Sequence, residues 1–434
     1  MSTDHLPAHP NGAAFDLATG RASSTADLMP LSRITAAPDP AILYQRLRAT
    51  WGEVARVELE PGVPAWLVMG WPEIAIIARN EAVYSRDARN WRDLREGVVA
   101  PDSGLGPMMF WRANVIGADG AEHRRLRAPL DDLVTRIDHR RLRRSVEAIC
   151  ADLVASFAAR GHADLIAEYA AVIPMLAVAS LFGLDTGKGF QLLAGLMALF
   201  GSGDDSQAGN ASFEDILAAH MRTRRTAPAD DLTSALINHP ALYGDAEILQ
   251  SIAVMVSAGY ETTLIWIAQT LRLMLTDPRL AGRVNGGRLG TDEAMDEVLW
   301  RDPPMTHMPT RFALRDTELG DRYIRAGDAL VLGLAAAGSD ARIHTGERVM
   351  DLGNRSHLAW SIGPHACPAR DPARLIARTA VETILNLLPG MKLAATTADI
   401  PLRPSPWTRC PAVLPVVFPP PPTPLRPARA ARNP

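Results

Sequence analysis

The residues with the most chemical content lie in the stretch His357-Leu-Ala-Trp-Ser-Ile-Gly-Pro-His365-Ala-Cys367, where a cysteine follows a Gly-Pro turn just ahead of a helical pattern. A cysteine near a helix start has its thiolate favoured by the helix dipole and nearby amide N–H groups, which suits an axial iron ligand. Taken alone, such a cysteine is more commonly an inert buried thiol. A second group, Ala258-Gly259-Tyr260-Glu261-Thr262-Thr263, sits inside a long apolar segment. Glu261 offers a titratable carboxylate and Thr262 a hydroxyl, the pair that proton delivery needs. A third, Glu122-His123-Arg124-Arg125-Leu126-Arg127, puts His123 and Arg127 four residues apart and hence on one helical face. By themselves they read as an ordinary solvated face. Walker, zinc-protease and nucleophile-elbow patterns are absent.

The elements that must carry these residues are mostly helical. Periodicity predicts helices over Pro40–Trp51, Glu122–Val134, His139–Ala159, Ala246–Asp277, Glu293–Trp300 and Pro372–Leu388. Small strands are expected at Val54–Glu60 and Ala65–Met69 around Pro61-Gly62, and at Thr317–Leu319, Tyr323–Ile324 and Ala329–Leu332. Residues 1–26 read as a disordered lead-in, 27–418 as one domain without a compositional break, and 419–434 as a Pro/Arg-rich disordered tail. With 434 residues, 47% of them hydrophobic, the chain can bury a large core. The net charge of −3 gives no reason to expect nucleic acid as a partner. Three cysteines cannot build a disulfide framework, and no apolar leader is visible, so a cytoplasmic protein is expected. Ala170–Leu184 is apolar but short and interrupted by Pro174, so no membrane span is expected.

The cysteine stretch resembles the ligand loop of the cytochrome P450 superfamily, the haem-thiolate monooxygenases, whose pattern is Phe-Gly-x-Gly-x-His-x-Cys-x-Gly. Gly363, His365 and Cys367 match it; Trp360, Ser361 and Ala369 stand where the family has Phe, Gly and Gly. Ala258–Thr263 is similar to the family's oxygen-activation motif, and Glu122–Arg127 to its propionate-binding helix. Glu297–Pro304, Arg311 and Ile324-Arg-Ala-Gly-Asp328 resemble the segments that follow. The resemblance covers roughly residues 38–417. It implies the mainly α, single-domain triangular cytochrome P450 fold with a small β region, and haem b as cofactor. It implies Cys367 as the iron ligand, with His123, Arg127, Arg311 and His365 around the haem propionates and Glu261 and Thr262 as the catalytic pair. It further implies a small hydrophobic organic substrate, O2, and electrons from a ferredoxin and ferredoxin reductase. Arg124, Arg125, Arg370, Arg374 and Arg378 are candidates for that partner's docking face, and Met108–Trp111 for a pocket lid.

The chain also departs from the family. Glu297-Val-Leu-Trp300 stands where Glu-x-x-Arg is expected, as in a subset of actinobacterial members, and Arg301 is one position out of phase, a poor substitute. Trp300 is expected to fill the missing arginine's volume and to stack on Arg348. Gly259 is expected to allow a local bulge in the long helix. Pro368 lacks an N–H to donate to the sulfur, and the next helix is expected to start late, with Asp371 as N-cap and Pro372 first. These departures leave an alternative, a non-catalytic haem-binding sensor or partner protein that retains the fold.

Overall fold

The computed structural model describes residues 15–16, 21–22, 28–199, 206–277, 290–343, 354–396 and 399–421. Most of the N-terminal lead-in, the Pro/Arg-rich tail and Arg348 therefore lie outside the described residues. Helix α1 (Pro40–Trp51) is set by Asp39, whose side chain accepts from Ala41 N at 3.0 Å, with Pro40 in the first turn. Strands β1 (Val54–Glu60) and β2 (Val63–Val68) form a hairpin at Pro61-Gly62, Gly62 taking φ 82°. The second strand starts two residues earlier than its sequence pattern indicates, because Glu60 and Val63 already pair across the turn. Next come α2 (Trp71–Arg79), α3 (Gly120–Thr135), α4 (His139–Phe157) and α5 (Val172–Leu181). They are followed by α6 (Thr186–Leu199), α7 (Ser206–Thr226) and the central α8 (Asp245–Thr276). The chain continues through α9 (Thr291–Arg301), β3 (His307–Ala313), β4 (Ala329–Gly333) and α10 (Arg370–Leu387).

The main sheet has six strands in the order Met29–Pro30, β1, β2, β4, β3, Tyr84–Ser85. Strand β4 runs parallel to β2 and antiparallel to β3. Both faces are covered: Val57, Ala65, Leu67 and Val331 join one core, while Val54, Trp66, Leu330 and Leu332 join another, as the two-residue period of a strand requires. The helical core forms where α4, α8, α9 and α10 bring together Val146, Val154, Trp266, Leu271, Val298, Ala380 and Ile384. Helix α8 is long and apolar enough to cross a membrane, but 61% of its most apolar window is buried inside the protein.

Two devices in this frame aim side chains at the site. Between Met308 and Arg311, β3 carries one residue more than β4, and Thr310 sits there at φ 63°, an outlier for a β-branched residue. The bulge is followed directly by fully buried Arg311. Gly363, at φ 74°, has no room for a side chain, since a Cβ would stand 2.3 Å from Ala78 O at the end of α2. Ser361 takes φ 55° where the family carries glycine, a conformation that costs an L-residue roughly 1 kcal/mol or more. Ser361→Gly is therefore expected to stabilise the protein by about 1 kcal/mol, read as a higher urea midpoint with unchanged slope. An unchanged or lower midpoint would show that the serine carries no strain.

Candidate haem site

The cysteine loop is fastened to the central helix through aromatic rings. Cys367 N donates to Trp360 O at 2.8 Å, and Ala366 N to Gly363 O at 3.0 Å. The Trp360 ring meets Trp266 edge-on at 5.3 Å, and Trp266 Nε1 donates to Met295 O. Trp266 lies one turn beyond Thr262 on α8, so the oxygen-motif helix and the cysteine loop share one packing contact. The position where the family pattern has Phe thus carries an indole that packs edge-on against the central helix.

Helix α10 begins at Arg370 with Ala369 as its cap residue, not at Pro372 with Asp371 as cap. Pro372 falls within the first turn, where its missing N–H breaks no helical bond. The earlier start brings Ala369 N–H to the Cys367 sulfur, so a backbone donor is present one residue beyond Pro368. Burial pushes the Cys367 thiol up, while that amide, Arg127 and Arg370 pull it back. A bound iron ion would supply the remaining stabilisation, since metal coordination deprotonates a thiol. Cys150 and Cys410 are fully buried, burial pushing both thiols up to about 12.

Beside this loop the protein gathers cationic and donor groups with few acceptors. The rings of His123 and His365 stack at 3.9 Å, and His365 Nε2 lies 3.3 Å from Glu81 Oε1. Among the described residues neither nitrogen of buried His123 has a hydrogen-bond partner, and Nε2 of His365 meets only the Glu81 and Asp119 carboxylates, at 3.3 and 3.8 Å. Burial and neighbouring arginines push His123 down to about 4 and His365 down to about 3. Fully buried Arg311 is also held well below its usual range by burial and by Arg86; its Nη1 donates to Thr310 O. Unpaired buried donors and crowded cations are costly until an anion arrives. A group with two carboxylates would find donors here on His123 and Arg311, beside the Glu81 and Asp119 carboxylates already facing His365.

Of the residues expected at the propionates, the structure brings His123, His365 and Arg311 together. Arg127 borders them, its Nη1 donating to Pro364 O of the cysteine loop and its Nε pairing with Asp131. The sequence reading missed Arg86, Glu81 and Asp119. Asp119 accepts from Ser85 Oγ and Arg86 N, and these bonds, with His365, hold its carboxyl down near 2 despite burial.

Helix α8 is an unbroken α-helix, without the bulge expected at Gly259. The glycine has another use: a Cβ there would press on Val178 of α5 at 3.3 Å. Thr262 Oγ1 donates to Ala258 O at 2.7 Å, and Glu261 Oε1 accepts from Arg403 Nη2 at 2.8 Å. Ala258 is exposed and Glu261 and Thr262 half-buried, in contrast to the buried flanks Val256, Tyr260 and Thr263. Of the expected lid, Met109 is fully buried and Trp111 is exposed, with Arg89 stacked 4.3 Å from its ring centre.

Around α9, Glu297 is half-buried and pairs with Arg301 at 2.8 Å, so the one-residue offset does not prevent an ion pair between them. The pair closes at i,i+4 on the helix surface, where a long guanidinium has the reach that the 100° rotation demands. Trp300 is buried, donates from Nε1 to Asn354 O at 3.0 Å, and meets His357 edge-on at 5.5 Å. It anchors the segment leading into the cysteine loop.

No family model matches the chain. Among curated proteins it is 27% identical over 363 residues to the 2-hydroxy-5-methyl-1-naphthoate 7-hydroxylase of Streptomyces carzinostaticus, covering 80% of this chain and 88% of that one. It is 27% identical over 390 residues to the cytochrome P450 monooxygenase PikC of Streptomyces venezuelae, covering 88% and 91%. Among solved structures, CYP154C4 of Streptomyces sp. ATCC 11861 superposes with a TM-score of 0.82 at 27% identity, covering 90% of this chain and 98% of that one. CYP154A1 of Streptomyces coelicolor A3(2) gives 0.77 at 27% identity, covering 90% and 99%. Fold, motif order and cysteine loop define a haem-binding, mainly α oxidoreductase. The chain belongs to the cytochrome P450 superfamily and is of the monooxygenase class.

Proposed function

We propose that the protein binds haem b through Cys367 and inserts one oxygen atom of O2 into a small hydrophobic organic molecule, with electrons from a cytoplasmic ferredoxin. The observation that carries this reading is the buried imidazole pair His123 and His365, with His123 unpartnered among the described residues, beside fully buried Arg311 and the cysteine loop. Arg86 and Arg127 complete the surroundings of the propionates. Bound haem supplies one-electron and oxygen chemistry, and the thiolate increases the electron density at the iron. The chain's own contributions are to hold the sulfur at the start of α10, to neutralise the propionates, and to offer Glu261 and Thr262 as a proton path.

The expected docking face narrows to two of its five arginines. Arg125 pairs with Glu122 and Glu247, Arg374 with Asp292 and Asp296, and Arg378 with Asp292 and Glu382. Arg124 and Arg370 are exposed, and no carboxylate among the described residues pairs with them. Gly363 and Pro364 of the cysteine loop are exposed as well, and Arg127, on the same helix as Arg124, bonds Pro364 O. Reversing both charges (Arg124→Glu, Arg370→Glu) is expected to lower kcat/KM for a surrogate ferredoxin roughly tenfold or more at low salt, and less at high salt. The companion pair Arg374→Gln and Arg378→Gln should leave it nearly unchanged. Product formation from a mixed substrate panel with NADPH, ferredoxin reductase and ferredoxin tests the whole reading; haem retention with no turnover from any ferredoxin would favour the non-catalytic alternative.

A further inference from the structure

The segment that leads into the cysteine loop is held by two indoles. Trp71 Nε1 of α2 donates to Ser356 O at 3.0 Å, and Trp300 Nε1 of α9 donates to Asn354 O at 3.0 Å. The Trp300 ring also meets His357 edge-on at 5.5 Å. From there the path to the sulfur is short: Ser361 N donates to Leu358 O at 2.7 Å, and Cys367 N to Trp360 O at 2.8 Å. The end of α9 cannot shift to follow a loosened segment, because Gly338 lies so close to Trp300 O that a Cβ there would overlap it. The carboxylates of α9 are meanwhile all committed. Asp292 pairs with Arg374 and Arg378, Asp296 with Arg355 and Arg374, and Glu297 with Arg301, while Glu293 accepts from Gly290 N. Asp296 and Glu297 stand four and three residues before Trp300, the spacings at which a carboxylate reaches a cation one turn on.

We propose that Trp300 is a positioning residue for Cys367: with Trp71, its neutral indole anchors the segment entering the cysteine loop, at a place where the local charge balance excludes the arginine of the family pattern. The proposal rests on the reading of Cys367 as the haem ligand. Trp300 acts through Asn354 and His357, so its loss frees the segment and leaves the sulfur itself in the chain. Buried His357 has no hydrogen-bond partner for either nitrogen among the described residues. Arg355, Arg370 and Arg374 act on it against the single carboxylate of Asp296, which Arg355 and Arg374 already share. Burial pushes His357 down to about 4, so the ring that meets Trp300 is uncharged at neutral pH. An arginine in place of Trp300 would add a buried cation to this group with no uncommitted carboxylate on α9 to meet it, and a buried charge without its partner is strongly destabilising.

The ferrous–carbon monoxide complex of the haem-loaded protein tests this. The readout is the rate at which its red-shifted thiolate band converts to the shorter-wavelength band of a displaced sulfur, in urea below the unfolding midpoint, with far-UV circular dichroism following the whole fold. Trp300→Phe keeps a ring against His357 and loses the N–H, so conversion should be about fivefold faster, the effect of one lost hydrogen bond. Trp300→Arg should convert roughly tenfold faster than wild type or more. Adding Arg355→Gln to Trp300→Arg releases Asp296, one turn before, and should recover most of that loss. An unchanged rate in Trp300→Phe would overturn the proposal; if its unfolding midpoint falls at the same time, the indole serves packing alone. A rate in Trp300→Arg no faster than wild type, or no recovery on adding Arg355→Gln, would overturn the charge argument and the proposal with it. Should Trp300→Arg fail to accumulate with haem, Trp300→Phe decides alone. The underlying reading fails separately: a thiolate band that survives in Cys367→Ser removes the ligand, whatever the tryptophan variants do.

Discussion

Gly363→Ala is expected to yield protein that is largely haem-free. The added methyl would stand 2.3 Å from Ala78 O, a backbone atom that cannot rotate away, and the residue would keep φ 74°. Overpacking and left-handed strain together should cost roughly 3 kcal/mol or more. That cost falls on a short loop that must hold Ala366 N against Gly363 O and Cys367 N against Trp360 O. The loop either opens or pushes α2 away, and in both cases the sulfur loses its fixed position. The ratio of Soret to protein absorbance after purification reads this, with urea unfolding as the second measure. Native haem content and an unchanged midpoint would show that the close approach to α2 is not a constraint.

The second large effect has opposite signs in the two states of the protein. Arg311 is fully buried, and its surroundings penalise its charge while Arg86 adds repulsion. In haem-free protein, Arg311→Met removes a buried cation that lacks a strong partner, so stability should hold or rise. In haem-loaded protein, with Arg311 at a propionate as proposed, the same change would remove a desolvated partner of a carboxylate. Losses of that kind run to about 2–5 kcal/mol, so haem affinity should fall roughly 30-fold or more. Haem transfer to a scavenging apoprotein measures the affinity, and denaturant unfolding of extracted apoprotein measures the other half. If Arg311→Met weakens both states equally, the residue is part of the core packing and not of the haem clamp.

Much of this was legible in the sequence because local rules decide it. Pro40 behind Asp39, Pro61-Gly62 in a hairpin, and the largely apolar run Ile252–Ala258 within α8 each fix an element within a few residues. The cysteine loop was legible from Gly363, His365 and Cys367 in their spacing. What escaped was long-range or depended on competing geometries. Arg86, Glu81 and Asp119 reach the histidines from separate segments, with no spacing to betray them. Arg403 meets Glu261 across 142 residues. Pro372 looked like the first residue of a helix, but proline is tolerated throughout the first turn, and the helix starts two residues earlier at Arg370. Arg301 looked out of phase because only Cβ directions were counted, whereas its length closes the pair with Glu297 at 2.8 Å.

Cys367, held just ahead of α10, is the residue proposed as axial ligand to haem iron. The absorption spectrum of the reduced protein with carbon monoxide measures this most directly, in wild type and in Cys367→Ser. Wild type should show the strongly red-shifted Soret band that only thiolate ligation gives, and Cys150→Ala and Cys410→Ala should keep it. Cys367→Ser should lose that band entirely. A red-shifted band that survives in Cys367→Ser, or never forms in haem-loaded wild type, would contradict the assignment.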